Sequence, residues 1–301
     1  MEKFKRYHSK KHKIIAKNRQ MTLHELERDA ISVFHPTYYD PYFIANIKKP
    51  LVITTHDMIY ERFPDFFSSE EEVAYHKCLH IERADKIIAV SHNTKEDVLK
   101  YYPSVAQKID LVYHGIDSST PLRYESIPNL PAQYILYVGG RFGYKNFNLL
   151  VEAFAHISQR YKGLKLVLAG RPLGRAEEAL FYRNRIRESI IHISATDGQL
   201  NTRYKHVLFF INSSSYEGFG LLILAAYRKE CPVLLSDASC FPEVAGRAAA
   251  FFETNAMDSL IAQIDLLLTD SAYRENLVLL GKKKIKEYTL KRCVEETIAV
   301  Y

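Results

Sequence analysis

The 301-residue chain has no tryptophan and four cysteines, Cys78, Cys231, Cys240 and Cys293. None stands in a C-x-x-C pair, so neither a zinc site nor a disulfide framework is expected. The expected compartment is a reducing cytoplasm. Long hydrophobic runs are also missing. None approaches the roughly 18 residues that span a bilayer, and no apolar stretch at the N-terminus makes a secretory signal. Glycine (12) and proline (11) are too scarce for a low-complexity chain. Net charge is nearly absent outside one stretch. Residues 1–19 hold eight Lys/Arg and one acid, Glu2, a local +7 that leaves about −1 for the rest of a chain whose total is +6.

That basic stretch has two readings: attraction to anionic lipid head groups, or a solvated helix. Nucleic-acid binding is not expected, because no basic-aromatic platform follows. Apolar residues make up 47% of the chain, enough for sizeable cores. The 21 Tyr and 16 Phe are compatible with sugar or base stacking, although composition alone does not show it.

Short apolar runs alternate with helical patterns throughout. Residues 3–29 read as a polar helix. Strands are expected at Ile31–Phe34, Leu51–Thr55, Lys86–Val90 and Ile109–Tyr113, with a helix over 69–84. Asn93 and Glu96 form a capping-box-like start to the helix after Lys86–Val90. Pro121, Pro128 and Pro131 mark a linker. Beyond it, strands are expected at Tyr134–Val138, Leu164–Ala169, Ile190–Ile193, Val207–Ile211, Pro232–Leu235 and Ala248–Phe252, then two or three helices over 256–301. Phe147, Leu150, Val151, Phe154 and Ile157 recur at helical spacing. Continuously apolar strands suit parallel sheets covered on both faces. The expected fold is therefore α/β, a doubly wound parallel pattern present twice. Its expected divisions are residues 1–120, a linker at 121–133, a ligand-binding domain at 134–285 and a terminal helix at 286–301.

Chemistry-bearing residues gather where strands end. Gly139-Gly140-Arg141-Phe142-Gly143-Tyr144-Lys145-Asn146 follows one strand and opens a helix, with glycines for close backbone approach and two cations for a phosphate. It is neither the P-loop nor the dinucleotide fingerprint; the alternative is a surface turn with solvated cations. Ser214-Ser215-Tyr216-Glu217-Gly218-Phe219-Gly220 again joins strand to helix, and its alternative is a simple helix start. Phe241-Pro242-Glu243-Val244-Ala245-Gly246 alone is only a turn. The first two together suggest a diphosphate-linked ligand.

These runs, in this order, resemble glycosyltransferase family 4. The likeness rests on Tyr137–Arg141 with Lys145-Asn146, Tyr216–Leu221, Pro232-Val233 and Pro242–Gly246. It extends more weakly to Thr55-His56-Asp57, Ala84–Ser91 and Val112–Asp117. The resemblance implies a GT-B fold of two Rossmann-like domains facing across a cleft. It implies a retaining sugar transfer from a nucleotide sugar, GDP- or UDP-linked, without a cofactor or bound metal. Carried onto this chain, Arg141 and Lys145 would contact the donor diphosphate, Glu217 the donor sugar, and His56 would approach from the facing domain. Gly140, Gly218, Phe219, Gly220, Leu221 and Asp57 would line the substrate. The run Gly140–Phe147 resembles mannosyltransferase-like members. The implied acceptor is a polysaccharide or glycolipid, reached in the cytoplasm and at a membrane face through residues 3–19.

The chain departs from the family in three places. Ala225 stands where a second glutamate would grip the ribose. Leu290 stands where an aromatic is common. A strand and glycine-rich loop would normally precede Ile31–Phe34, where this chain has a basic helix. The expectation is a truncated first domain: a naturally short member, a chain whose true start lies upstream, or a domain completed by a partner chain or a second copy. Two alternatives to an active transferase follow: a non-catalytic, partner-dependent subunit, and an unrelated α/β enzyme such as an epimerase.

Overall fold

The computed structural model describes residues 2–28, 30–68 and 72–301, with side chains from residue 13 onward. Most side chains of the basic segment 3–19 therefore lie outside the described residues, as do residues 69–71 of the expected helix 69–84.

The first half runs α1 (Glu2–Leu26), β1 (Val52–Thr55), α2 (Ile59–Arg62), α3 (Val73–Arg83), β2 (Lys86–Ala89), α4 (His92–Tyr101) and β3 (Ile109–Leu111). The second runs β4 (Tyr134–Val138), α5 (Phe147–Arg160), β5 (Lys165–Ala169), α6 (Arg175–Arg183), β6 (Ile190–Ile193), α7 (Asp197–His206), β7 (Phe209–Asn212), α8 (Leu221–Arg228), β8 (Val233–Ser236), α9 (Phe241–Ala245) and β9 (Ala250–Phe252). Three helices close the chain: α10 (Met257–Thr269), α11 (Ser271–Lys284) and α12 (Leu290–Val300).

All strand pairs are parallel, in two sheets ordered β1-β2-β3 and β6-β5-β4-β7-β8-β9. Two α/β halves with parallel sheets make the GT-B architecture. The second sheet reverses its winding between β4 and β7, and a ligand crevice opens beyond the carboxyl ends of such strands. The glycine run 139–146 follows β4, and the run 214–220 follows β7.

Both faces of the second sheet are buried. Tyr137, Phe209 and Ile211 face α5 and α10, while Tyr134, Phe210 and Leu235 face α8 and α9. Full burial of each such apolar side chain stabilises the fold by roughly 1.5–3 kcal/mol. The first sheet is thinner. One face is covered by Phe43, Ile81 and Val98. On the other, Val52, Ile88 and Val112 meet Cys293 and Val300 of α12, the last helix, which returns to the first half.

Two expectations need correction. Ile31–Phe34 is no strand: only Phe34 pairs, as a single parallel bridge to Leu51, because Pro36 closely follows and cannot donate to a ladder. The start of α4 is capped by Ser91, whose Oγ accepts from the Thr94 amide at 3.0 Å, and not by Asn93.

The chain passes between the halves twice, and the two passes lie side by side. The Ile116 amide donates to the Tyr288 carbonyl at 3.0 Å, and the Leu290 amide to the Ile116 carbonyl at 3.1 Å. A side chain at Gly115 would collide with the Thr289 carbonyl, so the passes approach this closely only with glycine there.

Candidate active site

Lys145 ends a short 3-10 turn, Gly143–Lys145, and Asn146 takes a left-handed conformation (φ 53°) to turn the chain into α5. The Ser213 hydroxyl holds the Lys145 carbonyl at 2.9 Å. Lys145 Nζ reaches across the switch point to Glu217 Oε1 at 2.5 Å, with both side chains 18% exposed. The Ser214 hydroxyl donates to the same oxygen at 2.9 Å. The Glu217 amide donates to Ser239 Oγ, and that hydroxyl donates to the Glu217 carbonyl, each at 3.0 Å. The pair is thus rigid within the second half. Gly220 precedes α8 with no side-chain cap, so the amides of that first turn suit an anion. Leu221 is exposed beside them.

The first half presents a shorter loop. Buried Lys77 donates to the Asp57 carbonyl and to Glu61 Oε2, each at 2.9 Å. Asp57 Oδ1 accepts from the Ile59 amide at 3.0 Å, starting α2. His56 is thereby fixed at the end of β1. Its ring stacks on that of His114, with Nδ1 and Nε2 at 3.3 Å, and His114 meets the edge of Phe219. Burial, followed by the proximity of His56, pushes the His114 pKa down to about 4. Burial also lowers that of His56, against the opposing pull of Asp57. A side chain on Gly218 would collide with the His56 carbonyl, so the two loops are in direct contact.

Lys145, Glu217, Gly218, Phe219, His56 and Asp57 therefore converge where the halves meet. Gly140 lies at the end of β4, its carbonyl bonded by the Tyr137 hydroxyl. Arg141 has different partners from Lys145. Its Nε donates to Glu177 at 2.7 Å, and its Nη2 donates to the carbonyls of Arg171 and Pro172. The residue is buried, and only Nη1 has no hydrogen-bond partner. The expected pair of cations is thus one cation beside Glu217 and one committed to Glu177. Ala225 lies half-buried on α8. Among the described residues, no three His, Cys, Asp or Glu side chains converge on one point.

Some residues at the cleft were not singled out by sequence reasoning. Glu243, read as part of a turn, accepts from the His92 and Asn93 amides of α4 at 2.7 and 3.3 Å. Ser91 and Thr94 donate to the Gly218 carbonyl at 2.7 and 3.1 Å. A serine directly after a buried strand was the available signal for the first of these.

Two parallel α/β halves that meet at the topological switch point of the second sheet have the GT-B fold. Residues 122–284 match the family Glycosyl transferases group 1, and residues 4–120 match Glycosyltransferase Family 4. The chain belongs to the group 1 glycosyl transferases. It is 25% identical over 291 residues to O-antigen chain mannosyltransferase B of Escherichia coli, spanning 89% of this chain and 74% of the relative. Two solved structures share the fold. Anabaena HepE, in complex with UDP and glucose, superposes with a TM-score of 0.76 at 16% identity, covering 95% of this chain and 81% of that one. Sucrose-phosphate synthase from Thermosynechococcus elongatus gives 0.75 at 18% identity, covering 95% and 77%. Among the described residues no helix is long and apolar enough to cross a membrane.

Proposed function

We propose that the protein is a retaining glycosyltransferase that moves a hexose, mannose in the first instance, from a nucleotide sugar to a saccharide or lipid-linked acceptor. The observation that carries this reading is the Lys145–Glu217 pair, held at the switch point and adjoining Gly218, which lies against the His56 carbonyl of the other half. Lys145 and the first amides of α8 face the donor diphosphate, where negative charge grows as the leaving group departs. Glu217 accepts hydrogen bonds from donor-sugar hydroxyls. The acceptor oxygen bonds to the anomeric carbon as the bond to the diphosphate breaks, and the acceptor proton passes to a phosphate oxygen. Arg141 holds Glu177 and the 171–172 carbonyls through Nε and Nη2, and its Nη1, which has no hydrogen-bond partner among the described residues, is the nitrogen left for the diphosphate. The name of the E. coli relative supports mannose, and the UDP complex of HepE keeps UDP-sugars as the alternative. An acceptor made at the cytoplasmic face of a membrane would suit the basic N-terminal segment.

The test is incubation with labelled GDP-mannose and a panel of UDP-sugars, with saccharide and lipid-linked acceptors. Transfer with retained anomeric configuration is expected; no binding, hydrolysis or transfer across the panel overturns the reading.

One observation favours a second reading, a donor-site relative that acts as a partner-dependent subunit. The methyl of Ala225 cannot accept a ribose hydroxyl, and a charged acceptor there would contribute about 1.5–3 kcal/mol. Ala225→Glu should tighten GDP or UDP binding if the site is a degenerate one, as isothermal calorimetry would show. Unchanged affinity removes that argument.

A further inference from the structure

Glu217 is flanked by two residues of its own half that are held by the other. Before it, Tyr216 is 1% exposed although it lies on a loop. Its hydroxyl donates to Asp97 Oδ2 on α4 at 2.6 Å and accepts from the Met58 amide at 3.3 Å. The Arg62 guanidinium lies 4.9 Å from the centre of its ring and also donates to Asp97 Oδ1 at 2.8 Å. The ring edge meets Phe63 at 5.8 Å. After it, the Gly218 carbonyl takes two hydrogen bonds from the hydroxyls that open α4.

The side chain of Glu217 needs none of this to keep its shape. Lys145 and Ser214 hold its carboxylate and Ser239 holds the backbone of the same residue, all within the second half. The loop is therefore a rigid piece, and the Tyr216 socket fixes where that piece comes to rest against the other half. The socket combines a buried charge-assisted hydrogen bond, Tyr216 to Asp97, with a partly exposed cation over the aromatic face. It opens next to the loop that carries His56, since Met58 and Arg62 lie two and six positions beyond that residue.

We propose that Tyr216 is a positioning residue: seated against Asp97 and Arg62, it sets the register of the preformed Lys145–Glu217 pair against His56. This rests on the reading of Glu217 as the donor-sugar contact. The socket works as a stop for closure, and binding of the nucleotide, which needs only the second half, does not depend on it.

The experiment reads closure without any donor. The His92 and Asn93 amides are bonded across the junction to Glu243, a partner separate from the socket; the Asn93 side chain also donates to Asp97 Oδ2 at 3.2 Å, so the His92 amide is the cleaner reporter of the two. Their hydrogen-exchange protection therefore reports the closed fraction. In Tyr216→Phe the protection of both amides should fall at least about tenfold, the effect of losing one hydrogen bond to a charged group. Asp97→Asn should do the same, and the double variant should add little, because one contact is being removed twice. Binding of GDP and UDP, measured separately by calorimetry, should stay within about twofold of wild type, as a local register change requires. Unchanged protection in Tyr216→Phe, or additive effects of the two substitutions, overturns the proposal. Lost protection alongside inert nucleotide sugars would count against the donor reading alone and leave the register assignment standing.

Discussion

At the scale of single residues, the site turns on one ion pair and one stacked pair of histidines. Lys145→Ala removes the cation expected to face the leaving diphosphate, and turnover should fall by about 10²–10³ with the fold intact. Glu217→Gln keeps the shape and the Ser214 contact but loses the charge, and should cost turnover in the same assay. Wild-type rates in both would remove the pair from the chemistry. The histidines predict a pH effect on stability. His114 titrates near 4 in the folded state and near 6.5 when unfolded, so between those values the unfolded chain binds more protons. Stability is complete above about pH 6.5 and lost as pH falls toward 4, by up to about 2–3 kcal/mol. Urea unfolding at pH 7 and pH 4.5 should show the loss, and His114→Asn should flatten it. The placement of Lys145 and Glu217 at strand ends was legible because glycine-rich turns after apolar strands announce a strand end and a helix start. The direction of Arg141 was not legible. Which way a side chain turns at a strand end depends on a partner such as Glu177, 36 positions away, and no local pattern encodes it.

At the scale of elements, the first turn of α4 does several jobs with few residues. Ser91 caps the helix and, with Thr94, holds the Gly218 carbonyl, while the next two amides hold Glu243. Ser91→Ala should cost about 1 kcal/mol for the cap alone. It should also loosen the junction, and both effects are measurable by denaturation and exchange. Gly218→Ala is the sharper test. Its methyl meets the His56 carbonyl, and overpacking of 1–3 kcal/mol disfavours the closed arrangement about ten- to a hundredfold. Turnover should fall accordingly while nucleotide affinity holds; normal turnover would mean the loops need not touch. The strands and helices of the second half were readable from periodicity to within a few residues. The bridge at Phe34 was misread as a strand because apolar character shows burial and not pairing. The cap was misassigned to Asn93 because a capping-box spacing there competes with the true cap, Ser91, whose partner three residues on is Thr94 and completes no box.

For the whole molecule, the two sheets and their parallel winding followed from alternating apolar runs and helical spacings. How the halves meet did not, because contacts such as Tyr216 with Asp97 join residues 119 apart in sequence. The thin first sheet relies on a helix from the far end of the chain. Deleting residues 290–301 uncovers Val52, Ile88 and Val112. The first half should then unfold earlier than the second, seen as two calorimetric transitions; one unchanged transition would show that α12 contributes little. The twin passes at Ile116 and Thr289 carry a mechanical consequence. A single connecting thread would let the halves swivel in any direction. Two threads laced together behave as a strap hinge, which bends about one axis and resists twisting. Any opening of the halves is therefore confined to one arc, and the tyrosine would return to its seat along it without a rotational search.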